Sequence, residues 1–260
     1  MSNDSSRRET IAATSGPGSA ESIAAHGSRN ADPWIVLALA ATPFAAKAVV
    51  LVAGLTGYGL QSIYKLFQLA VPCYWRFRRR NSRGINVLWP TDERLPDVQT
   101  WLIGVVAAVV LSGSAIAAAN WLLPRLELDP TRIRAGLDAR FPISAAGAVA
   151  VVLFLSVVNS ALEELHFRAW LDREISSRWG AAAGIAVSAA AFGAMHVLIF
   201  SGLPDLPTAA SLLVALALAG AGVTWSFIMR LPGGIHAAWL SHGLTDAILL
   251  GWGLHWLGYV

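Results

Sequence analysis

The stretch ALEELHFRAW, residues 161–170, decides how this chain is read. It sets Glu163, Glu164, His166 and Arg168 directly after AAGAVAVVLFLSVVNS (145–160), a run with the composition of a bilayer interior. Ionisable groups at depth cost at least about 2.5–3.5 kcal/mol each on insertion scales, so they turn to the bundle interior and pair with one another. A chain that carries them there carries a candidate functional site.

The rest of the sequence agrees with a membrane setting. Of 260 residues 55% are hydrophobic and 13% charged, where soluble domains carry roughly 25% charged residues. Apolar stretches recur at 34–59, 61–76, 101–123, 143–176, 180–200, 208–229 and 235–258. A span needs roughly 20 apolar residues, so most qualify, and 61–76 is expected to be half-buried or re-entrant. The fold class is therefore all-α: a polytopic membrane bundle of about six to eight transmembrane helices. Trp34, Trp75, Trp101, Trp121, Trp179 and Trp256 fall near stretch ends, as rings at a headgroup boundary do.

Residues 1–33 are Ser/Gly/Ala-rich without apolar period and read as a disordered tail. Residues 34–99 read as N-terminal membrane segments with a basic loop, and 100–260 as the core that holds the site. The linkers NSRGINVLWPTDERLPDVQ and PRLELDPTRIRAGLDARFP read as loops. Net charge is only +3, and the basic residues gather beside apolar segments, as in RFRRRNSR (76–83), which argues for lipid flanks and against a nucleic-acid partner. A single cysteine, Cys73, excludes an internal disulfide and reads as a small apolar filler. Seven spans put the loop 77–100, Arg173, Arg178 and Arg230 on the side of the N-terminus, which the arginine bias makes cytoplasmic. Lys47, midway through the first stretch, either faces the bundle interior or divides that stretch in two.

Other helices supply partners for the acids. His196 lies in AFGAMH, and His242 and Asp246 lie four residues apart in WLSHGLTD, on one helix face. If the helix of ALEELHFRAW runs on to a turn at Trp179–Gly180, Glu163 and His196 both stand roughly 22–24 Å from that turn, level on antiparallel neighbours. Glu164 and Arg168 have the i, i+4 spacing of an ion pair, acid first, and are expected to pair structurally. Glu163, about 100° around the helix and without a local cation, is left to face His196 and His242. His166 is expected to be a packed imidazole. His236 and His255 have no acid at helical spacing.

EELHFR, FGAMH and HGLTD have the forms Glu-Glu-x-x-x-Arg, Phe-x-x-x-His and His-x-x-x-Asn/Asp, in that order on the fourth, fifth and seventh apolar stretches. The chain thereby resembles the CPBP family of intramembrane proteases, with its type 2 CAAX prenyl endopeptidases and bacteriocin-processing and self-immunity relatives, over roughly residues 100–258. It departs from them at Ala169, where many relatives have Gly, and at Asp246, where the family form also allows Asn.

The resemblance implies a membrane-embedded endopeptidase in which a glutamate and a histidine activate water against a peptide carbonyl. Glu163 would be the base, His196 its partner, His242 and Asp246 the oxyanion stabilisers, and Glu164 with Arg168 the remainder of the first motif. It implies a peptide or protein substrate within the bilayer, no required cofactor, and, through its bacterial relatives, the inner membrane. Two alternatives remain at this point. One is a zinc enzyme using His196, His242 and a carboxylate as ligands, although the helical His-Glu-x-x-His pair is absent. The other is a non-enzymatic carrier or scaffold with a buried proton relay, although neither inverted repeats nor paired half-helices are present.

Overall fold

A computed structural model describes residues 33–54, 62–80, 94–140, 144–200 and 206–260. The expected tail thus lies outside the described residues up to Asp32, as does most of the linker after the second stretch. The described residues form helices and no strand: α1 (Pro33–Val52), α2 (Tyr64–Arg80), α3 (Val98–Leu122), α4 (Pro130–Arg140), α5 (Ala145–Trp179), α6 (Ala181–Phe200), α7 (Thr208–Ile228) and α8 (Gly234–Trp256). Among them α1, α3, α5, α6 and α7 are long and apolar enough to cross a membrane, as an all-α polytopic bundle requires. α8 has the length, 23 residues, but carries the polar groups of the third motif.

Local chemistry explains how these helices start and persist. Asp97 caps α3 by accepting from the Thr100 N–H at 2.7 Å, and Ser144 caps α5 by accepting from Gly147 at 3.1 Å. Pro43 interrupts α1 and has no N–H for the Leu39 carbonyl; the Thr42 hydroxyl donates to that oxygen instead, at 2.8 Å. α1 is accordingly one helix, and Lys47 is buried with its ammonium over the Tyr64 ring, 5.6 Å from the centroid. The first of the two readings of Lys47 holds.

The packing is that of a membrane protein, apolar outside and polar within. Leu102, Val106, Val109 and Val110 of α3 face outward, whereas Asn159, Glu163, Glu164, Arg168, Asp172 and His242 are buried. α6 packs on α7 through Ala189 and Gly193 against Ala215, Ala219 and Gly222, and on α5 through Gly184 beside Asp172 and Ser176 and Ser188 on the Phe167 carbonyl, small side chains that let backbones approach where lipid supplies no hydrophobic drive. α8 packs along α3 and reaches α5.

Three expectations are corrected. The linker 124–142 contains a short 3-10 turn (Leu123–Leu126) and then α4, because Asp129 accepts from the Thr131 N–H and Pro130 suits a first helical turn. Of the basic run, Arg76 to Arg80 lie on the last turns of α2 and not in a loop, and the remainder lies outside the described residues. Trp75 is buried, 5% exposed, edge-on to Trp170 at 6.1 Å, whereas Trp34, Trp121 and Trp179 are exposed as boundary rings should be.

Candidate active site

α5 is not a uniform α-helix. Residues Leu155–Asn159 and Glu164–Asp172 follow the wider i→i+5 hydrogen-bonding pattern, flanking a single α-turn at Ser160–Glu163. Wider turns hold more residues, so consecutive side chains splay by less than the roughly 100° of an α-helix. Glu163 and Glu164 therefore face the same partner, where a regular helix would send them apart.

That partner is His242. Its Nδ1–H donates to Glu164 Oε1 at 2.8 Å, while Nε2 lies 3.5 Å from Glu163 Oε2 and 3.7 Å from Asp246 Oδ2. One imidazole thus joins both acids of the first motif to the acid of the third. The approach of α8 to α5 depends on Gly243, where a Cβ would come within 2.3 Å of the Ser156 carbonyl oxygen. Trp225 of α7 fixes the ring's other face: it stacks on His242 with centroids 3.9 Å apart and donates through Nε1 to Ser241 at 3.2 Å.

Glu164 and Arg168 are both fully buried, with Arg168 Nη1 3.4 Å from Glu164 Oε1. The guanidinium is roofed by Phe192 at 4.5 Å and Trp225 at 5.2 Å, aromatic faces that favour a cation. The expected ion pair is present, and Glu164 is at the same time the nearest acid to His242.

His196 on α6 donates from Nδ1 to the Phe192 carbonyl at 2.8 Å, which leaves Nε2 as the nitrogen able to meet another group. It is half-buried, within electrostatic reach of Glu163 and His242, and its ring packs on Phe192, which in turn meets His242 edge-on at 5.6 Å. The six residues singled out in the sequence come together. Asp246, 22% exposed at its side chain, and His196 form the more accessible edge, while Glu163, Glu164, Arg168 and His242 lie deeper. His166 is packed between Phe167 and Trp170, as expected of a core imidazole.

Sequence reasoning missed a cation. Glu163 has no local counter-charge on α5, but Lys65 of α2 lies within electrostatic reach and donates from Nζ to Asn159 Oδ1, and the Asn159 side chain hydrogen-bonds Glu163. The only signal was weak: Lys65 and Gln68 share a helix face within an apolar stretch, and Asn159 precedes Glu163 by one turn.

Among the described residues no group of three or more His, Cys, Asp or Glu side chains stands where it could hold a metal ion. His242 Nδ1 is engaged by Glu164 and His196 Nδ1 by a backbone carbonyl, so each ring presents its Nε2 as the remaining nitrogen. A cluster of acids and imidazoles buried inside apolar helices is suited to moving protons to and from a water and to stabilising developing negative charge.

No curated protein and no solved structure matches the chain. A family model does. Over residues 145–248, the segment that holds Glu163, His196 and Asp246, the chain is similar to the Rce1-like family, described as type II CAAX prenyl endopeptidase Rce1-like.

Proposed function

We propose that this protein is an integral-membrane endopeptidase that hydrolyses a peptide bond in or beside the bilayer, with Glu163 as general base. The observation that carries the reading is the single imidazole of His242 set within 2.8–3.7 Å of three carboxylates, inside the segment similar to the prenyl endopeptidases. Glu163 takes a proton from a water held between it and His196 Nε2. The oxygen attacks the peptide carbonyl carbon, and negative charge develops on the carbonyl oxygen. His242, oriented by Glu164 and carrying a proton shared with Asp246, stabilises that charge. The tetrahedral intermediate then expels the amine, which takes the proton that Glu163 accepted. Arg168 holds Glu164 so that His242 keeps its orientation. No step passes through a metal. The substrate class is a peptide or protein segment presented from the membrane, a prenylated C-terminal tail being the first to test, and the end of α5 with Arg173 and Arg178 and the turn after α7 with Arg230 are proposed to face the cytoplasm of a bacterial inner membrane.

The test uses purified full-length protein in lipid vesicles. A farnesylated peptide with a C-terminal CAAX tail and an unprenylated membrane-spanning peptide are offered in parallel, and cleavage is read by mass spectrometry. Cleavage that Glu163→Gln and His196→Ala each reduce by at least about 10²-fold supports the reading. A parental rate in Glu163→Gln on a cleaved substrate removes the proposed base. No cleavage of either peptide, together with proton-coupled solute uptake abolished by Glu163→Gln, replaces the enzyme with a carrier.

A further inference from the structure

We propose that Lys65 is a positioning residue of this site, a cation supplied by α2 from outside the family-matched segment that anchors the Glu163 carboxylate through Asn159. The inference rests on the protease reading for its consequence, but its geometry stands on separate observations.

Lys65 is 8% exposed, in a helix whose neighbouring side chains are mostly apolar. A lysine near a membrane helix end ordinarily extends its ammonium to water. This one turns inward: Nζ lies over the Tyr64 ring, 4.8 Å from the centroid, and donates to Asn159 Oδ1 across 94 residues of sequence. Asn159 precedes Glu163 by four residues on α5 and hydrogen-bonds its carboxylate, so ammonium, amide and acid form a continuous chain. The Lys65 charge also reaches His196 and Asp246, so it acts on the cluster and not on Glu163 alone.

The charged and titratable groups within electrostatic reach of Glu163 are Tyr64 and Lys65 from α2, His196 from α6, His242 and Asp246 from α8, and His166 and Arg168 on α5 itself. Of the two permanent cations, Arg168 is engaged by Glu164. Lys65 is thereby the counter-charge of Glu163. Without it, the carboxylate's other partner is His242, and an acid drawn towards His242 no longer points at the water it must deprotonate. α2 is held for this role by its packing on α5, where Trp75 meets Trp170.

Two measurements on the full-length protein in vesicles test the assignment. In the first, dicyclohexylcarbodiimide, which enters bilayers, activates a carboxyl as its O-acylisourea; a neighbouring amine displaces dicyclohexylurea and forms an amide. Tandem mass spectrometry is expected to find the Glu163–Lys65 amide, and its absence overturns the proposal. This arm needs no substrate, so a cross-link in a protein that cleaves nothing refutes the protease reading while leaving the Lys65 geometry standing. In the second, with a cleaved farnesylated peptide, Lys65→Met is expected to lower kcat by roughly tenfold or more with KM changed by less than about twofold, and Lys65→Arg to recover most of the loss. A parental kcat in Lys65→Met, or equal loss in Lys65→Arg and Lys65→Met, overturns it. If Lys65→Met does not fold, the cross-link and the Lys65→Arg rate decide.

Discussion

The Trp225 indole stacks flat on the His242 imidazole, 3.9 Å between centroids and 14° between planes. A flat stack allows the imidazole to slide but not to tilt, and only in this plane do its two nitrogens point at different acids. Trp225→Phe keeps an aromatic face and loses the bond to Ser241, so folded yield is expected to hold while kcat falls, by up to about 10²-fold if the ring tilts by an ångström. Trp225→Ala empties a fully buried site and is expected to cost about 3–5 kcal/mol of stability. Thermal unfolding in detergent beside peptide cleavage separates the two effects.

Glu164 and Arg168 differ from Glu163 in what their loss strands. Glu164→Gln leaves the Arg168 guanidinium buried without its counter-ion, at a cost of about 3–5 kcal/mol, and folded protein recovered from the membrane is expected to fall sharply. Glu163→Gln keeps the side chain's size, and the Lys65 ammonium it leaves keeps its bond to Asn159 and the Tyr64 ring, so the loss of folded yield is expected to be smaller than for Glu164→Gln while catalysis is lost. Equal loss of folded protein in both variants would mean that the two acids do not divide structure and chemistry in this way.

Much of this was legible in the sequence because membrane helices have few ways to hide charge. The boundaries of α6 and α7 follow from composition alone, and the set Glu163, His196, His242 and Asp246 from the rarity of ionisable groups within such stretches. Two features were not legible. The facing of Glu164 depends on the wider turns of α5, which no periodicity in ALEELHFRAW announces; regular helical spacing sends that acid away from His242. Lys65 joins the site through an α2–α5 contact between residues 94 apart, and a lone lysine near the start of an apolar stretch reads as an ordinary helix-end cation. Asp138 and Tyr259 meet because α4 exists, and a Pro/Gly-bearing charged linker conceals a helix of 11 residues.

Asp172 and Arg230 bind the end of α5 to the turn between α7 and α8. The buried carboxylate accepts from the guanidinium at 2.7 and 3.0 Å and from Ser176 at 2.9 Å, while the arginine side chain is 28% exposed. The exposed partner can turn to water when left alone, and the buried one cannot. Arg230→Met is therefore expected to destabilise by about 3 kcal/mol or more and Asp172→Asn by roughly half that, read as thermal midpoints in detergent. The reverse order would show that the burial asymmetry is not what sets the cost.

At the C-terminus, beyond α8, the Tyr259 hydroxyl donates to Asp138 of α4, and Arg134 lies over its ring at 4.4 Å. Burial, then the bond to Asp138 and its charge, push the phenol up to about 12. A raised value means that the clamp's contribution to stability is complete below the ordinary phenol value near 10 and is lost as pH rises through about 12. Tyr259→Phe is expected to remove the ultraviolet phenolate step near pH 12, and Asp138→Asn to move that step to lower pH. A step unmoved in Asp138→Asn would mean that the clamp does not form.

Metal dependence is where the proposed mechanism is most exposed to test. A zinc ion lowers the pKa of a bound water to about 7 and needs three protein ligands with an open fourth position. Among the described residues no group of three or more such donors converges, while the Nδ1 bonds of His242 to Glu164 and of His196 to a carbonyl leave the Nε2 of each ring as its remaining nitrogen. A water activated by Glu163 needs none of these nitrogens as metal ligands. Exhaustive treatment with 1,10-phenanthroline, followed by assay in metal-free buffer, is expected to leave kcat on a cleaved peptide within about twofold of untreated protein, with added zinc giving no increase. Asp246→Asn separates the mechanisms further. It removes a carboxylate that a zinc site would use but keeps an acceptor for His242, so the glutamate mechanism predicts a loss of less than about 10²-fold and no change in chelator response. Loss of activity on chelation that zinc restores would assign His196 and His242 to a metal and take Glu163's water away from it.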